Sequence, residues 1–325
     1  CSPTLPNLPA KSISLLISTA TVFAATAASA QTVGIGSTKS SMVAAMTTAI
    51  SSTVSGKSIL KMRRQVMGGT QKYIPVVNAG ELEFGVSNMI QYAMAKDGRA
   101  LSKRPYKNLR LVATLMRFRT GLLVKNDSKI RSVADLKGKR IASGFKGAPL
   151  FSVFFDAMLG TAGITYKNVK KVPAVGLSQH WNLFKQGKVD TAIAGVGGGP
   201  NKDMNAKIPS GVRYLSFPTD TAAAKAAIKT VRGGKYELVN KRKPYVAIRT
   251  PAVLIGYDFM LFTNKNVSAD VVYKVAKSMV EGVKDLHAVS GVWRSYNAKR
   301  APKDQGYAYH PGAEKLYKEK GLWKR

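Results

Sequence analysis

Apolar and polar positions along the chain follow two periods. Runs rich in Val, Ile, Leu and Phe with a period near two predict strands at "TVGIG" (32–36), "FGVSN" (84–88), "LRLVATL" (109–115) and "TGLLVKN" (120–126). The same signal recurs at "RIASG" (140–144), "TAIAGV" (191–196), "RYLSF" (213–217) and "VLIGYDFMLFTN" (253–264). Between these runs, helical periodicity predicts helices over 40–53, 70–79, 89–97, 149–162, 177–186, 219–231 and 268–288, with a short turn at 132–136. The last helix opens on Ser268 before an acidic first turn, and Val271, Val272, Val275, Met279 and Val283 then recur on one face.

Strand and helix in alternation is the pattern of sheets flanked by helices, and it places the chain in the α/β class. Two stretches read as crossings between lobes. In "LMRFRTGLLVKNDSKIRSVADLKGKR" (115–140) a strand exits, a short basic turn follows and a fresh strand begins; "YVAIRTPAVLIGYDFMLFT" (245–263) is an extended return after the loop "RGGKYELVNKRKP". Two crossings suit a clamshell with a hinge and a central cleft. They divide the chain into lobe I (31–129 and 251–325) and an inserted lobe II (130–250).

The first thirty residues stand apart. They carry one charge, Lys11, then a mostly apolar run from Ile13 to Ala28 and the small-residue signature Ala28-Ser29-Ala30. That is the form of a secretory signal cleaved after Ala30, which predicts a periplasmic protein. The remaining 295 residues, enough for two α/β lobes, contain no cysteine, so neither a disulfide nor a thiol nucleophile is expected.

Without Lys11 the chain holds 50 basic and 17 acidic residues, formally +33. A field of that sign attracts anions in general. Nucleic acid is not the expected partner, because the basic residues spread over the chain with no basic tail, zinc-ligand spacing or aromatic-basic RNA signature. Enzymatic groups are scarce too. The three histidines, His180, His287 and His310, lie at no metal-ligand spacing, and no G-x-S-x-G elbow occurs. "GIGSTKS" (34–40) has Thr38 where a P-loop needs Gly and Lys39 where a dinucleotide fingerprint needs one. No metal, cofactor or catalytic role is expected, and the chain reads as a monomeric binding protein.

What remains is recognition. Five predicted strand ends deliver polar groups or glycines to a helix start: "STKSS" (37–41), "GGT" (68–70), "SN" (87–88), "GFKGAP" (144–149) and "GGGP" (197–200). Each is an ordinary helix cap on its own. Together, at the strand ends where α/β sheets bind ligands, they predict a seat for a small anion, with a carboxylate as the economical choice. Ser37, Thr38, Ser40, Gly69, Thr70, Ser87, Asn88, Gly147 and Gly198 are the candidate donors, Lys39 and Lys146 add charge, and Phe118 and Arg119 stand at the first crossing.

Four phrases, in order, carry a family resemblance: "NAGELEFGVSN" (78–88), "SVADLKGKRIASG" (132–144), "FKQGKVDTAIAGVGGGPN" (184–201) and "VVYKVAKSMVEGVKDLH" (271–287). The chain resembles the TAXI-type solute receptors of tripartite ATP-independent periplasmic (TRAP) transporters. The resemblance implies a type II periplasmic-binding-protein clamshell that captures a small organic anion, often a dicarboxylate or acidic amino acid, and passes it to membrane permease subunits. Gly68, Gly69 and Thr70 match that family's Gly-Gly-Ser/Thr turn, Ser87 and Asn88 its polar pair, and "FKGAP" its middle-lobe turn. "GSTKSSMVA" lacks the family's extra glycines and tyrosines, and "MRFRT" replaces its aromatic-proline stretch. A receptor serving an ABC importer shares this architecture and is the alternative reading.

Overall fold

The computed structural model of the chain describes residues 1–2, 30–39 and 41–324. The export segment expected over 1–30 lies almost wholly outside the described residues, and so does Ser40. Gln31–Arg325 forms one compact unit with its own core.

The first elements are β1 (Thr32–Thr38), α1 (Met42–Lys57), β2 (Lys61–Met67), α2 (Thr70–Ala79), β3 (Phe84–Asn88), α3 (Met89–Asp97) and the long β4 (Leu109–Lys125). Then follow β5 (Arg140–Gly144), α4 (Leu150–Gly160), β6 (Lys170–Ala174), α5 (Leu177–Lys185), β7 (Ala192–Gly195), α6 (Gly199–Lys207) and β8 (Val212–Tyr214). The chain closes with α7 (Ala222–Thr230), β9 (Lys235–Val239), β10 (Ala252–Asn264), α8 (Ala269–Glu281), α9 (Val283–Val289) and α10 (Pro311–Glu319). Among the described residues no helix is long and apolar enough to cross a membrane.

The α/β class is observed, but the sheet is mixed. β2, β1 and β3 are parallel, whereas β10 runs antiparallel to β3, β4 and β9, and β4 runs antiparallel to β7 and β8. β5 and β6 form a separate parallel pair. The two long strands organise everything else. The second half of β10 pairs with β3 and the first half of β4, and its first half pairs with β9 and the second half of β4.

That continuity corrects one expectation. "MRFRT" is not a basic turn between two strands but the middle of β4, a single strand of 17 residues. Met116 is 2 % exposed and Arg117, Phe118 and Arg119 are half-buried; the arginines alternate with the aromatic ring, as a strand covered on both faces requires.

Three strands escaped the periodicity: β2, β6 and β9. β2 alternates poorly because it is an edge strand, exposed at Lys61, Arg63, Arg64, Gln65 and Val66. β9 lies inside the stretch read as a loop. The long helix expected over 268–288 is broken at Gly282 into α8 and α9. A β-carbon at Gly282 would overlap the Thr53 methyl of α1, so only glycine lets α1 pack that close.

Candidate functional site

At the carboxyl ends of β1, β2 and β3 the structure gathers three of the predicted polar groups. Thr38 pairs with Met67 in the β1–β2 register, so Gly69 and Thr70 follow immediately beside the end of β1. Ser37 turns inward: it is fully buried, and its Oγ lies 2.6 Å from Thr47 Oγ1 and accepts from Arg64 Nε at 3.3 Å. Thr38 Oγ1 lies 2.9 Å from Ser41 Oγ, and Ser41 is the N-cap of α1, accepting from Val43 N at 3.2 Å. Ser41 has φ of 134°, a conformation that residues other than glycine rarely adopt. Lys39 is exposed.

The hydroxyl-rich turn therefore divides its labour. Ser37 braces the core, Ser41 caps the helix, and Thr38 stands half-buried at the strand end.

Thr70 and Asn88 are brought together by a residue that the sequence reading missed. Thr70 Oγ1 donates to Gln91 Oε1 at 2.5 Å, and Gln91 N donates to Asn88 Oδ1 at 2.9 Å, the N-cap bond of α3. Gln91 is 3 % exposed. A glutamine at the third position of a helix, after an Asn cap, was the signal available in "SNMIQ". Ser87, fully buried, donates from Oγ to Asn88 O at 3.2 Å. Gly69 is the N-cap of α2 and offers no side chain.

Asn88 faces Phe259 in the β3–β10 register, and Phe259 belongs to an aromatic patch on the crossing strands. Phe118 packs on Tyr257 and Phe259, with ring centroids 5.6 and 5.9 Å apart, and Tyr257 stacks on Phe154 of α4 at 5.6 Å. Phe118 also lies directly over Gly195 at the end of β7, where a β-carbon would overlap its ring.

Arg119, adjacent in sequence, is on the opposite face of the strand from Phe118. Its Nε lies 2.9 Å from Glu237 Oε2, an ion pair without hydrogen-bond alignment, since Oε2 has no hydrogen-bond partner. Arg117 donates to Glu237 Oε1 from Nε at 2.8 Å and also from Nη2. β9 thus supplies a carboxylate to both arginines of "MRFRT".

Asp258 anchors the same face. It is 1 % exposed and receives Arg300 Nη2 at 2.5 Å, Lys303 Nζ at 2.7 Å and Gln305 Nε2 at 2.8 Å, with Arg117 Nη1 at 3.5 Å. Burial alone would raise its pKa. Hydrogen bonds from Lys303 and Gln305, with the charges of Arg117 and Lys303, outweigh burial and hold the carboxyl below its usual range.

In the second half of the chain the predicted groups lie beside the end of the small sheet. Phe145 N donates to Ala174 O at 2.7 Å and Gly147 N to Val175 O at 2.9 Å, so the Gly147 amide is already engaged. Lys146 between them is exposed. The Phe145 ring packs on Phe151, Phe155 and His180, and Phe151 on Phe154, which continues the aromatic patch from Tyr257 to this turn. Gly198 is the N-cap of α6 and donates its amide to Gly195 O at 3.3 Å, beside Phe118.

The histidines serve structure. His180 is fully buried, with Nε2 accepting from Ile193 N at 3.0 Å and Nδ1 without a partner; burial pushes its pKa down to about 3, so the ring is neutral. His310 caps α10 through Nδ1, and burial lowers its pKa as well. His287 Nε2 lies 2.9 Å from Tyr296 O. Among the described residues no three His, Cys, Asp or Glu side chains gather as a metal site.

Several solved structures share this fold at low identity. A binding protein of an ABC phosphonate transporter from Pseudomonas aeruginosa aligns with a TM-score of 0.53 at 11% identity, covering 90% of this chain and 85% of its own. The XAC2383 protein of Xanthomonas citri, bound to chloride, aligns at 0.52 and 10% identity, covering 90% and 97%. A periplasmic transporter aligns at 0.51 and 11% identity, covering 91% and 95%. These likenesses establish the fold as that of periplasmic binding proteins. The NMT1-like family model matches residues 31–321, which is all but a few of the residues that follow the leader. With that match over a fold of periplasmic binding proteins, the chain belongs to the NMT1-like family.

Proposed function

We propose that the protein is an extracytoplasmic solute receptor that captures a small organic anion and delivers it to an ABC-type importer. The observation that carries this reading is the Thr70–Gln91–Asn88 chain, set at the ends of adjacent strands and joined through Phe259 to the Phe118–Tyr257 aromatic patch. Thr38, Thr70 and Asn88 supply polar groups from one wall, Phe118 supplies the floor, and Lys146 with Gly198 faces them from lobe II. Lobe I comprises 31–129 and 251–325 and lobe II 130–250, with β4 and β10 as the crossing strands. Closure on the anion is a population shift, set by how much better the ligand binds the closed state.

Membership of the NMT1-like family and the shared fold with an ABC phosphonate-binding protein support the importer type, and with it phosphonates and sulfonates beside carboxylates as ligand classes. Export with cleavage after Ala30 belongs to the same reading. A TRAP-type permease is the second reading, favoured by the four sequence phrases, "FKQGKVDTAIAGVGGGPN" above all.

The test is a thermal-shift titration of residues 31–325 with alkylphosphonates, alkylsulfonates, dicarboxylates and acidic amino acids at constant ionic strength. Binding to the native state alone stabilises it by about 2.7 kcal/mol at a hundredfold excess over Kd. A saturable shift with one class supports the receptor and names its cargo. Shifts that follow anion charge alone and vanish in salt overturn it.

A further inference from the structure

A second anion-recognising region lies at the amino ends of β5 and β6, and it does not depend on the cleft reading. Because these strands are parallel, with Arg140 paired to Lys170, the segments that lead into them emerge at one end of the small sheet. Gly138 N donates to Asn168 O at 2.7 Å and Lys170 N to Lys139 O at 2.8 Å, which fastens the two segments side by side. Lys137, Lys139, Arg140, Lys167 and Lys170 are all exposed there. The loop after α5 joins them: Asp190 N donates to Arg140 O at 2.9 Å, and this loop brings the exposed Lys188.

The nearby acids are already engaged. Asp190 accepts from Arg140 Nη2 at 2.6 Å and Arg140 N at 2.7 Å, and Asp135 accepts from Arg131 N at 2.8 Å and Ser132 N at 2.9 Å. The face as a whole is cationic.

Under this face lies a cavity of about 100 Å³, room for several water-sized groups. Ile130, Phe184 and Val189 form its apolar wall, and Lys125, Ser128 and Arg140 its polar rim. The rim is built rather than loose: Arg213 donates to the carbonyls of Asn126, Ser128 and Ile130 at 3.3, 3.1 and 2.5 Å, which holds the 126–130 loop in place. Lys125 Nζ approaches Gly187 on the far rim, with no carboxylate in an ion pair with it among the described residues.

The geometry points to a site for a phosphate ester at this end of the molecule, with the headgroup of an anionic phospholipid as its source. The cavity takes the phosphate against Lys125, Ser128 and Arg140, and the surrounding lysines lie against the charged bilayer surface. A lysine near an anionic membrane contributes in proportion to its proximity, and the contributions add along a face.

The experiment is co-sedimentation of residues 31–325 with phosphatidylglycerol–phosphatidylcholine vesicles and with pure phosphatidylcholine vesicles, at low and at physiological salt. Two variants of equal charge change are compared with the unmodified protein. One carries Lys137→Glu, Lys139→Glu, Lys167→Glu and Lys170→Glu; the other carries Lys277→Glu, Lys284→Glu, Lys299→Glu and Lys324→Glu, all exposed positions elsewhere. The first is expected to lose anionic-vesicle affinity by roughly a hundredfold or more, the second by less than about threefold. Equal losses overturn the proposal, because attraction then follows net charge, and so does the absence of any preference for phosphatidylglycerol. Inorganic phosphate is the second arm. Competition with the vesicles beyond that of chloride at equal ionic strength, lost in Lys125→Gln, supports the cavity as the phosphate seat; competition equal to chloride overturns it. Phosphate binding by the soluble protein without a vesicle preference assigns the cavity to free phosphate and overturns the lipid source.

Discussion

Thr70 Oγ1 donates to Gln91 Oε1 at 2.5 Å, joining the first turn of α2 to that of α3 across the end of β3. Gln91 N is at the same time the donor to the Asn88 cap, so one side chain and one amide of Gln91 hold two helix starts in fixed relation. Groups restrained in this way can present the same donors to each incoming ligand without reordering, which is how a preorganised site gains affinity.

Thr70→Val removes the hydroxyl while keeping the side chain's shape. It is expected to cost about 0.5–1.5 kcal/mol in urea denaturation. On the proposed function it also weakens the anion found by thermal shift, whereas Thr48→Val, on the exposed flank of α1, leaves that affinity unchanged. Equal affinities for the two variants would show that the Thr70–Gln91 bond is purely structural.

Asp258→Asn leaves Arg300, Lys303 and Arg117 around a neutral group. Breaking a buried ion pair from one side costs about 3–5 kcal/mol, and chemical denaturation at pH 7 reads the loss directly. The sign of the pH effect follows from the depressed pKa. The unfolded carboxyl, with a pKa of about 3.9, takes up its proton first as pH falls, so the contribution of Asp258 is full above that value and is lost below it. The variant should therefore lose less stability than the unmodified protein between about pH 5 and pH 3.

His180 acts in a different window. Its folded pKa is about 3 against an ordinary 6.5, so below pH 6.5 the unfolded chain binds a proton that the folded chain refuses. Stability attributable to this residue is full above 6.5 and falls by about 1.4 kcal/mol per pH unit below it. His310, also lowered by burial, adds to the same trend. His180→Gln keeps an acceptor near Ile193 N and removes the titration. Urea midpoints at pH 7 and pH 5 should lie closer together in the variant; an unchanged gap would place the titration elsewhere.

Gly195→Ala drives a methyl group into the Phe118 ring. Overpacking of that kind costs about 1–3 kcal/mol. Phe118→Leu in the same chain should restore part of the loss, a coupling that a double-mutant cycle measures. Additive losses would mean that Phe118 shifts aside freely and does not define the patch.

The sequence by itself determined the elements whose information is local. Periodicity located α2, α3 and α5 and the strands at 32–36, 84–88 and 253–264 to within about two residues, because an amphipathic face needs only neighbouring positions to be legible. It also put the polar groups of Thr38, Thr70 and Asn88 at strand ends, since cap chemistry is written within a few residues. Tertiary structure decided the rest. β2, β6 and β9 are strands because partners pair with them, and edge strands need no hydrophobic alternation. The charge of Arg119 faces Glu237, more than a hundred positions away in the chain, and no local pattern carries that distance. Gln91 became a bridge, and Ser37 a core hydroxyl, only when α1, α2 and α3 met at one edge of the sheet. Patterns of period reach a few residues; pairing and desolvation act between residues that only the fold brings into contact.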